Sequence, residues 1–273
     1  MDLTILLVTR DRPHLLGGSI QSIVASAAAA AARVVTRVVV VDDSDDGSAF
    51  PVASALSVDY VRNPIRDAPF GQAAARAWMI PQVTTDLVAF FDDDDLMLED
   101  HISLLADRIA KGGDVCSTGF WYADPDPADP ARLVARRRQL VAQPRLGDLL
   151  VGSQPVNDGA MMKTEVAQSI TWDPTWEILT MYHVWLQMLI AGRTFVVNRS
   201  ATFLYRQHAA SVSHNLGERE AVLQARLLAE SRLIALERLG AIPGPSVHVR
   251  LAQARASVGM AVRGVLASGR GGA

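Results

Sequence analysis

Short apolar stretches typical of strands alternate with helical stretches along the first half of this chain. A strand is predicted at residues 3 to 8, a helix at 14 to 32, and a strand rich in β-branched residues at 34 to 41. Further strands are predicted at 58 to 61, 86 to 91 and 114 to 120, and further helices at 72 to 80 and 98 to 110. Because parallel strands need crossover connections of this length, the alternation predicts an α/β fold with a mostly parallel sheet flanked by helices.

Four adjacent carboxylates, Asp92 to Asp95, directly follow the predicted strand at 86 to 91. Such close like charges repel one another unless a cation neutralises them, and all-oxygen ligands suit Mg²⁺ or Mn²⁺. Open α/β sheets bind ligands at the edge where such strands end. We therefore expect a divalent metal site, the alternative being a solvated acidic loop or helix N-terminus. If the strand geometry persists, no more than half of the cluster can face one ion.

Composition narrows the class of protein. The chain has 273 residues, 49% of them hydrophobic, which suffices for one large domain or a domain with an appendage. A net charge of −3 argues against nucleic acid as a partner. A single cysteine, Cys116, excludes an internal disulfide framework and fits a reducing compartment. With a strand-like start and no apolar run of roughly 18 residues, the chain is expected to be cytoplasmic and without a transmembrane segment.

Between residues 123 and 145 the composition changes from Asp-Pro repeats to a group of arginines. We expect a mobile loop or a short excursion here. The arginines either face a diphosphate or an anionic acceptor, or form a solvated surface. Beyond this segment a helix is predicted at 175 to 191 and strands at 194 to 198 and 201 to 205.

The last part of the sequence predicts two helices, at residues 218 to 239 and from about 246 to 267, separated by a Gly- and Pro-rich break. The second helix carries arginines and no acidic residue. It could contact the inner membrane face peripherally, pack on the domain, or form a homodimer.

From Leu3 to about Ser213, the order of elements and of the short motifs between them resembles that of the family-two inverting glycosyltransferases, which have the GT-A fold. Residues 5 to 13 are similar to that family's opening strand and Asn-Arg-Pro turn, with Asp11 in place of the usual Asn. Residues 38 to 44 are similar to its second-strand signature, and residues 71 to 77 to its Gly-x-x-x-Ala-Arg-Asn segment, with Ala77 replacing the Asn. The acidic cluster takes the place of the family's Asp-x-Asp motif.

This resemblance implies a metal-dependent transfer of a sugar, with inversion, from a nucleoside diphosphate sugar to a hydroxyl acceptor. UDP is the expected nucleotide, and a glycan, a lipid-linked compound or a small molecule could each be the acceptor. The GT-A domain would occupy residues 1–215, with a nucleotide-binding half at about 1–122 and an acceptor half at about 123–215. Residues 216–273 would form a helical extension.

The resemblance also implies roles for individual residues. Asp43 would bind the nucleobase, Asp92 would lie near the ribose, and Asp94 would coordinate the metal, with Asp95 as a second-choice ligand. The segment from Phe203 to Ser213 resembles the closing Tyr-Arg-x-His segment. Its basic side chains would reach the diphosphate or the open side of the metal. The donor-binding residues would further include Thr9, Arg12, Asp42, Arg76 and Asp93, and the basic residues of the closing segment are Arg206 and His208. The alternative for Asp42 and Asp43 is that they cap the turn after a strand.

The catalytic base is the point at which the sequence departs from the family. The family places a Glu-Asp pair at the start of a helix, and Met181 stands where the Asp is expected. His183 is one candidate for the base, and Glu177, one helical turn before Met181, is the other. Asp158 could contact the acceptor instead. A domain that binds a nucleotide sugar without catalysis is the alternative function.

Overall fold

A mixed sheet organises the part of the chain that the computed structural model describes, which comprises residues 1–64, 71–126, 132–145, 159–174 and 180–208. The strands are β1 (Asp2–Thr9), β2 (Val35–Asp42), β3 (Asp59–Arg62), β4 (Leu87–Asp92), β5 (Leu96–Met97), β6 (Val115–Pro125), β7 (Leu133–Gln139), β8 (Met161–Lys163) and β9 (Phe195–Arg206). The helices are α1 (Pro13–Ala30), α2 (Phe50–Ala55), α3 (Gly71–Met79), α4 (His101–Ala110), α5 (Thr164–Gln168) and α6 (Thr180–Ile190), with a 3₁₀ turn at Ile80–Gln82.

The sheet order is β3-β2-β1-β4-β8-β6-β9-β5, and β7 pairs with β6 outside this path. The first four strands in this order are parallel. β8 runs antiparallel to both β4 and β6, so β6 again points in the direction of β4. β9 is parallel to β6, whereas β5 and β7 are antiparallel to their neighbours. The carboxyl ends of β1, β2, β4, β6 and β9 therefore meet at one edge of the sheet.

Side chains that alternate along the central strands build a core on each face of the sheet. On one face, Leu6 and Phe90 belong to a core shared with α3, α5 and α6, and we call this the α3–α6 face. On the other, Ile5 and Phe91 belong to a core shared with α1, α2 and α4, which we call the α1–α4 face. At the end of a strand, successive side chains are therefore directed to opposite faces of the sheet.

The predicted α/β fold with a mostly parallel, helix-flanked sheet is confirmed. Of the two expectations for 123 to 145, a mobile loop or a short excursion, the described residues fit the excursion, because β6 extends to Pro125 and β7 forms an antiparallel ladder with it. Most β7 side chains are exposed, so the sequence of this strand lacks the apolar alternation that would have predicted it. The short β5 and β8 were also missed. The two strands predicted at 194 to 205 form one strand, β9, whose pairing with β6 shifts register between them.

The predicted C-terminal helices lie outside the described residues, and so do Glu177 and Asp158. The domain boundary at 215, the homodimer and the peripheral membrane contact therefore stay predictions. In the described ranges, no helix combines the length and the apolar character that crossing a membrane requires.

A buried polar chain fixes β9 to α4 and β6. His101 of α4 lies with its Nδ1 2.7 Å from the hydroxyl of Thr202 in β9, and that hydroxyl lies 2.6 Å from the hydroxyl of Thr118 in β6. Burial lowers the pKa of His101 to about 4, although a hydrogen bond with the backbone of Gly159 opposes the shift. The imidazole is therefore neutral inside the fold at neutral pH, and it holds the strand that ends at Arg206.

We expect His101→Asn to flatten the pH dependence of stability. The imidazole of the unfolded chain takes up a proton below pH 6.5, whereas the folded one does so only near pH 4, so its contribution is present above pH 6.5 and is lost as the pH falls to 4. The shift corresponds to about 3 kcal/mol. Urea denaturation at several pH values between 7 and 4 measures it, with His14→Asn on the exposed start of α1 as control. Parallel profiles for wild type and His101→Asn would contradict this expectation.

Candidate functional site

The acidic cluster lies at the carboxyl end of β4, where the strand gives way to a tight turn. The backbone N–H of Asp95 donates to the carbonyl of Asp92 over 3.4 Å, which brings Asp95 back toward the strand end. Ligand oxygens of Asp92, Asp94 and Asp95 consequently lie within 4.8 Å of one another. The limit of half a cluster facing one ion was expected only if strand geometry persisted, and this condition does not hold, because the strand ends at Asp92.

Asp93 is directed to the α1–α4 face and is fully buried. The hydroxyl of Thr9, at the end of β1, donates to it over 2.6 Å, and the guanidinium of Arg12 pairs with it at 2.6 Å. Burial raises the pKa of Asp93 to about 6, with Arg12 opposing the shift and Asp94 adding to it. Asp93 therefore ties the ends of β1 and β4 together behind the other three carboxylates.

Basic groups from two distant segments surround Asp94. Its Oδ2 accepts a hydrogen bond from Arg12 over 2.7 Å and lies 3.0 Å from Nε2 of His208. The side chain of Arg206 donates to the carbonyl of Asp94 over 2.7 Å, and its backbone N–H donates to Asp95 over 2.9 Å. The structure thus unites the predicted Arg12, Arg206 and His208 with the acidic cluster.

Burial alone would lower the pKa of Arg12, but the charges of Asp93, Asp94 and Asp92 outweigh it and raise this pKa. The guanidinium therefore stays charged within the cluster, where it offsets part of the negative charge.

Asp92 points instead toward α3. The amide of Gln72 donates to its carboxylate over 3.3 Å, and the guanidinium of Arg76 lies 3.6 Å from the same oxygen. Arg76 is buried and lies over the ring of Phe90, 5.1 Å from its centroid. The hydroxyl of Ser19 donates to the carbonyl of Asp92 over 3.0 Å. Asp92 thereby has contacts with helices on both faces of the sheet.

The carboxylate of Asp42, at the end of β2, is turned inward. It accepts hydrogen bonds from the backbone of Ser44 at 2.9 Å and of Ala49 at 3.2 Å, and from the hydroxyl of Tyr60 at 2.9 Å. Burial and the hydrogen bond to Asp42 raise the pKa of Tyr60 to about 12. This geometry favours the turn-capping interpretation of Asp42, while its contact with a nucleotide stays a prediction.

Asp43 links the end of β2 to the start of α3. It accepts from the side chain of Asn63 over 2.6 Å and from the backbone of Gly71 over 3.0 Å, and Arg10 lies 3.7 Å away. Gly71 has φ +65°, a conformation that glycine adopts without steric cost. Sequence reasoning missed Asn63 and Arg10. Asn63 follows a predicted strand at its carboxyl end, which was the available signal.

The candidate base His183 lies in α6, on the face of the sheet that also carries Asp92. It is 8% exposed, and its Nδ1 lies 3.5 Å from the amide of Gln187, which in turn bonds both backbone groups of Thr171. Met181 is buried in the core of the same face. The second candidate, Glu177, precedes the described part of this helix.

This fold, with a carboxylate cluster at the carboxyl edge of its sheet, is that of an α/β domain of the type that binds ligands at this edge. The sequence model for glycosyl transferase family 2 matches residues 4–167. The chain belongs to this family. No curated protein matches the chain in sequence.

Several solved structures share the fold. Residues 1–349 of TarS from S. aureus are 15% identical, with a TM-score of 0.62 over 94% of this chain and 71% of that one. Glucosyl-3-phosphoglycerate synthase from Mycobacterium tuberculosis is 17% identical, with a TM-score of 0.57 over 89% of this chain and 81% of that one. The mannosyltransferase PcManGT from Pyrobaculum calidifontis is 15% identical, with a TM-score of 0.54 over 98% and 79% of the two chains.

We expect Asp42→Asn to lower the free energy of unfolding by about 2 kcal/mol, because an amide cannot accept all three hydrogen bonds of this buried carboxylate. Tyr60→Phe removes one of them and should cost about 1 kcal/mol. Urea denaturation of both variants measures the difference. Unchanged stability of Asp42→Asn, together with weakened nucleotide binding, would contradict the capping role.

Proposed function

We propose that this protein is a metal-dependent, inverting glycosyltransferase that moves a sugar from a nucleoside diphosphate sugar to a hydroxyl acceptor. The observation that carries the proposal is the convergence of Asp92, Asp94 and Asp95 within 4.8 Å at the carboxyl edge of the sheet. Family membership supports the type of reaction. A glycan, a lipid-linked compound and a small molecule remain the classes of acceptor.

Mn²⁺ or Mg²⁺ fits the chemistry of this site. The three carboxylates supply hard oxygen ligands, and His208 lies beside Asp94. Asp94, Asp95 and His208 would hold the ion. A bound divalent ion offsets the charge that develops on the departing nucleoside diphosphate.

A uridine nucleotide is the donor nucleotide that we propose. TarS has been solved with UDP and with UDP-GlcNAc, and the mycobacterial synthase with UDP and Mn²⁺, whereas PcManGT was solved with GDP-Man and Mn²⁺. In this chain Asp43 would bind the base and Asp92 the ribose. Arg206 would face the diphosphate, because its guanidinium already lies against the backbone of Asp94.

Calorimetric titration with UDP, GDP and dTDP, each with and without Mn²⁺, tests the donor site. We expect UDP to bind in a metal-dependent way. Asp94→Asn should abolish this binding because it removes the charge of a carboxylate that would hold the metal. Asp43→Ala should weaken the binding of UDP by about tenfold and leave its metal dependence intact. Asp100→Asn, an exposed carboxylate just beyond the cluster, is the matched control and should bind normally.

Wild-type donor affinity and turnover in both Asp94→Asn and Asp43→Ala would overturn the assignment. Binding of none of the three nucleotides by the wild type would do so as well.

The acceptor hydroxyl needs a base, and we propose His183 for this role, with Glu177 as the second candidate. An imidazole has a suitable intrinsic basicity near neutral pH. His183 lies on the same face of the sheet as Asp92, which supports its access to the donor side. Asp158 is proposed to contact the acceptor.

Met181 motivates a second candidate function, a domain that binds a nucleotide sugar without transferring it. Its side chain is 3% exposed and belongs to the core beside α6. A core residue at the expected position of the catalytic Asp is the observation that favours this alternative.

Turnover at saturating donor separates these possibilities. His183→Ala should lower kcat by about 10²–10⁴-fold if His183 is the base, with little change in donor affinity. Glu177→Gln should then retain most of its turnover. The reverse pattern would identify Glu177, and loss in neither variant would remove both candidates. Nucleotide binding with no turnover in the wild type would support the second function.

A further inference from the structure

The strand β7 carries three consecutive arginines that differ in their partners. Arg136 pairs with Asp124 at 3.1 Å. Arg137 lies over the ring of Tyr122, 4.4 Å from its centroid, and Arg138 over that of Trp121, at 5.7 Å. Within the described residues, neither Arg137 nor Arg138 forms an ion pair with a carboxylate. Both are exposed, so their guanidinium groups can bind an anion from solution.

The topology places β7 on the edge of β6 that also pairs with β8, the edge nearer to β4. β9 pairs with one edge of β6 from Val115 to Ala123. β8 and β7 must therefore share the other edge, β8 at Val115 and Cys116 and β7 from Phe120 onward. The far neighbour of β8 is β4, which ends in Asp92. Beyond the end of the short β8, β7 thus borders the region above the carboxyl end of β4.

Arg137 and Arg138 lie on opposite faces of the antiparallel ribbon formed by β6 and β7. Arg138 is opposite Trp121 in the ladder, and Arg137 is opposite Tyr122. Tyr122 packs against Tyr205 and Phe120, and Phe120 packs on Phe203 in the core of the α1–α4 face. Strand alternation therefore directs Trp121 and Arg138 to the α3–α6 face.

Arg206, which contacts the acidic cluster, lies on the same face of the sheet as Arg138. Ala123, two residues after Trp121 and on the same side of β6, is opposite Arg206. The guanidinium of Arg206 in turn donates to the carbonyl of Asp94. In the ladders Arg138 is level with Leu204, two strand spacings away and two residues before Arg206, so its backbone lies roughly 12 Å from that of Arg206.

We propose that Arg138, held over Trp121, binds a phosphate group of the acceptor. This inference rests on the proposed function, in which the cluster and Arg206 hold the donor. The indole holds the guanidinium in place, so less side-chain freedom is lost on binding, and its planar donors match the oxygens of a phosphate. The accepting hydroxyl would then be directed to the space between Arg138 and the cluster.

Arg137 supplies the matched control, because it has the same charge and the same kind of ring contact one residue away but on the other face. Wild type, Arg138→Gln and Arg137→Gln are first titrated with UDP in the presence of Mg²⁺. All three should bind alike, since neither substitution touches the cluster. Failure of all three to bind UDP would count against the proposed function and not against the phosphate site.

The proteins saturated with Mg²⁺ and UDP are then titrated calorimetrically with glycerol 3-phosphate and with inorganic phosphate at low salt, and with glycerol as the neutral counterpart. Wild type should bind the two phosphate compounds and not glycerol. Arg138→Gln should bind them about tenfold more weakly, as expected for one lost charge-assisted contact. Arg137→Gln should stay within about twofold of wild type.

Equal weakening in both variants, or no binding of either phosphate compound by wild type, would overturn the proposal. Sedimentation with phosphatidylglycerol vesicles tests a different use of the strand. Vesicle binding that both substitutions weaken equally would show a basic surface for membranes in place of an acceptor site, and would also overturn it.

Discussion

The charge balance around Asp94 is the interaction on which the rest of the site depends. Four consecutive carboxylates at a strand end would repel one another unless positive charge stood close by. Arg12 reaches them from the start of α1, and Arg206 and His208 reach them from the end of β9. Because these cations come from opposite ends of the described chain, the site forms only when the sheet closes β9 onto the cluster. The site is therefore complete only when β9 is paired in the sheet.

The acidic residues at the strand ends fall into two groups according to their partners. Asp93 is directed into the fold, where Thr9 and Arg12 hold it, and Asp42 likewise caps a turn from the inside. Asp92, Asp94 and Asp95 instead converge at the carboxyl edge of the sheet. Asp42 and Asp93 maintain the backbone from which the others project, so substitutions in the two groups should affect stability and ligand binding differently.

The second half of the described chain supplies what surrounds this edge. α6 packs on the face that carries Asp92 and brings His183 there, and the β6–β7 ribbon extends on the same edge with Arg138 on that face. The proposed donor side is thus built from the parallel strands, and the proposed acceptor side from the antiparallel additions. This division agrees with the nature of the two ligands. A diphosphate needs a fixed anion-binding site, whereas acceptors differ in structure and need a binding site whose residues can differ.

The sequence by itself determined the parallel half of the fold and the location of the cluster, because apolar runs, helix periods and strand-end carboxylates are local signals. It also indicated Arg206 and His208 through a family resemblance. Only the tertiary structure decided that Asp95 turns back to join Asp92 and Asp94. It also decided that the carboxylate of Asp42 accepts hydrogen bonds from within the fold, and that the arginine-rich segment is a strand. Those features depend on a turn, on hydrogen bonds between distant segments and on an exposed ladder, none of which leaves a periodic hydrophobic pattern.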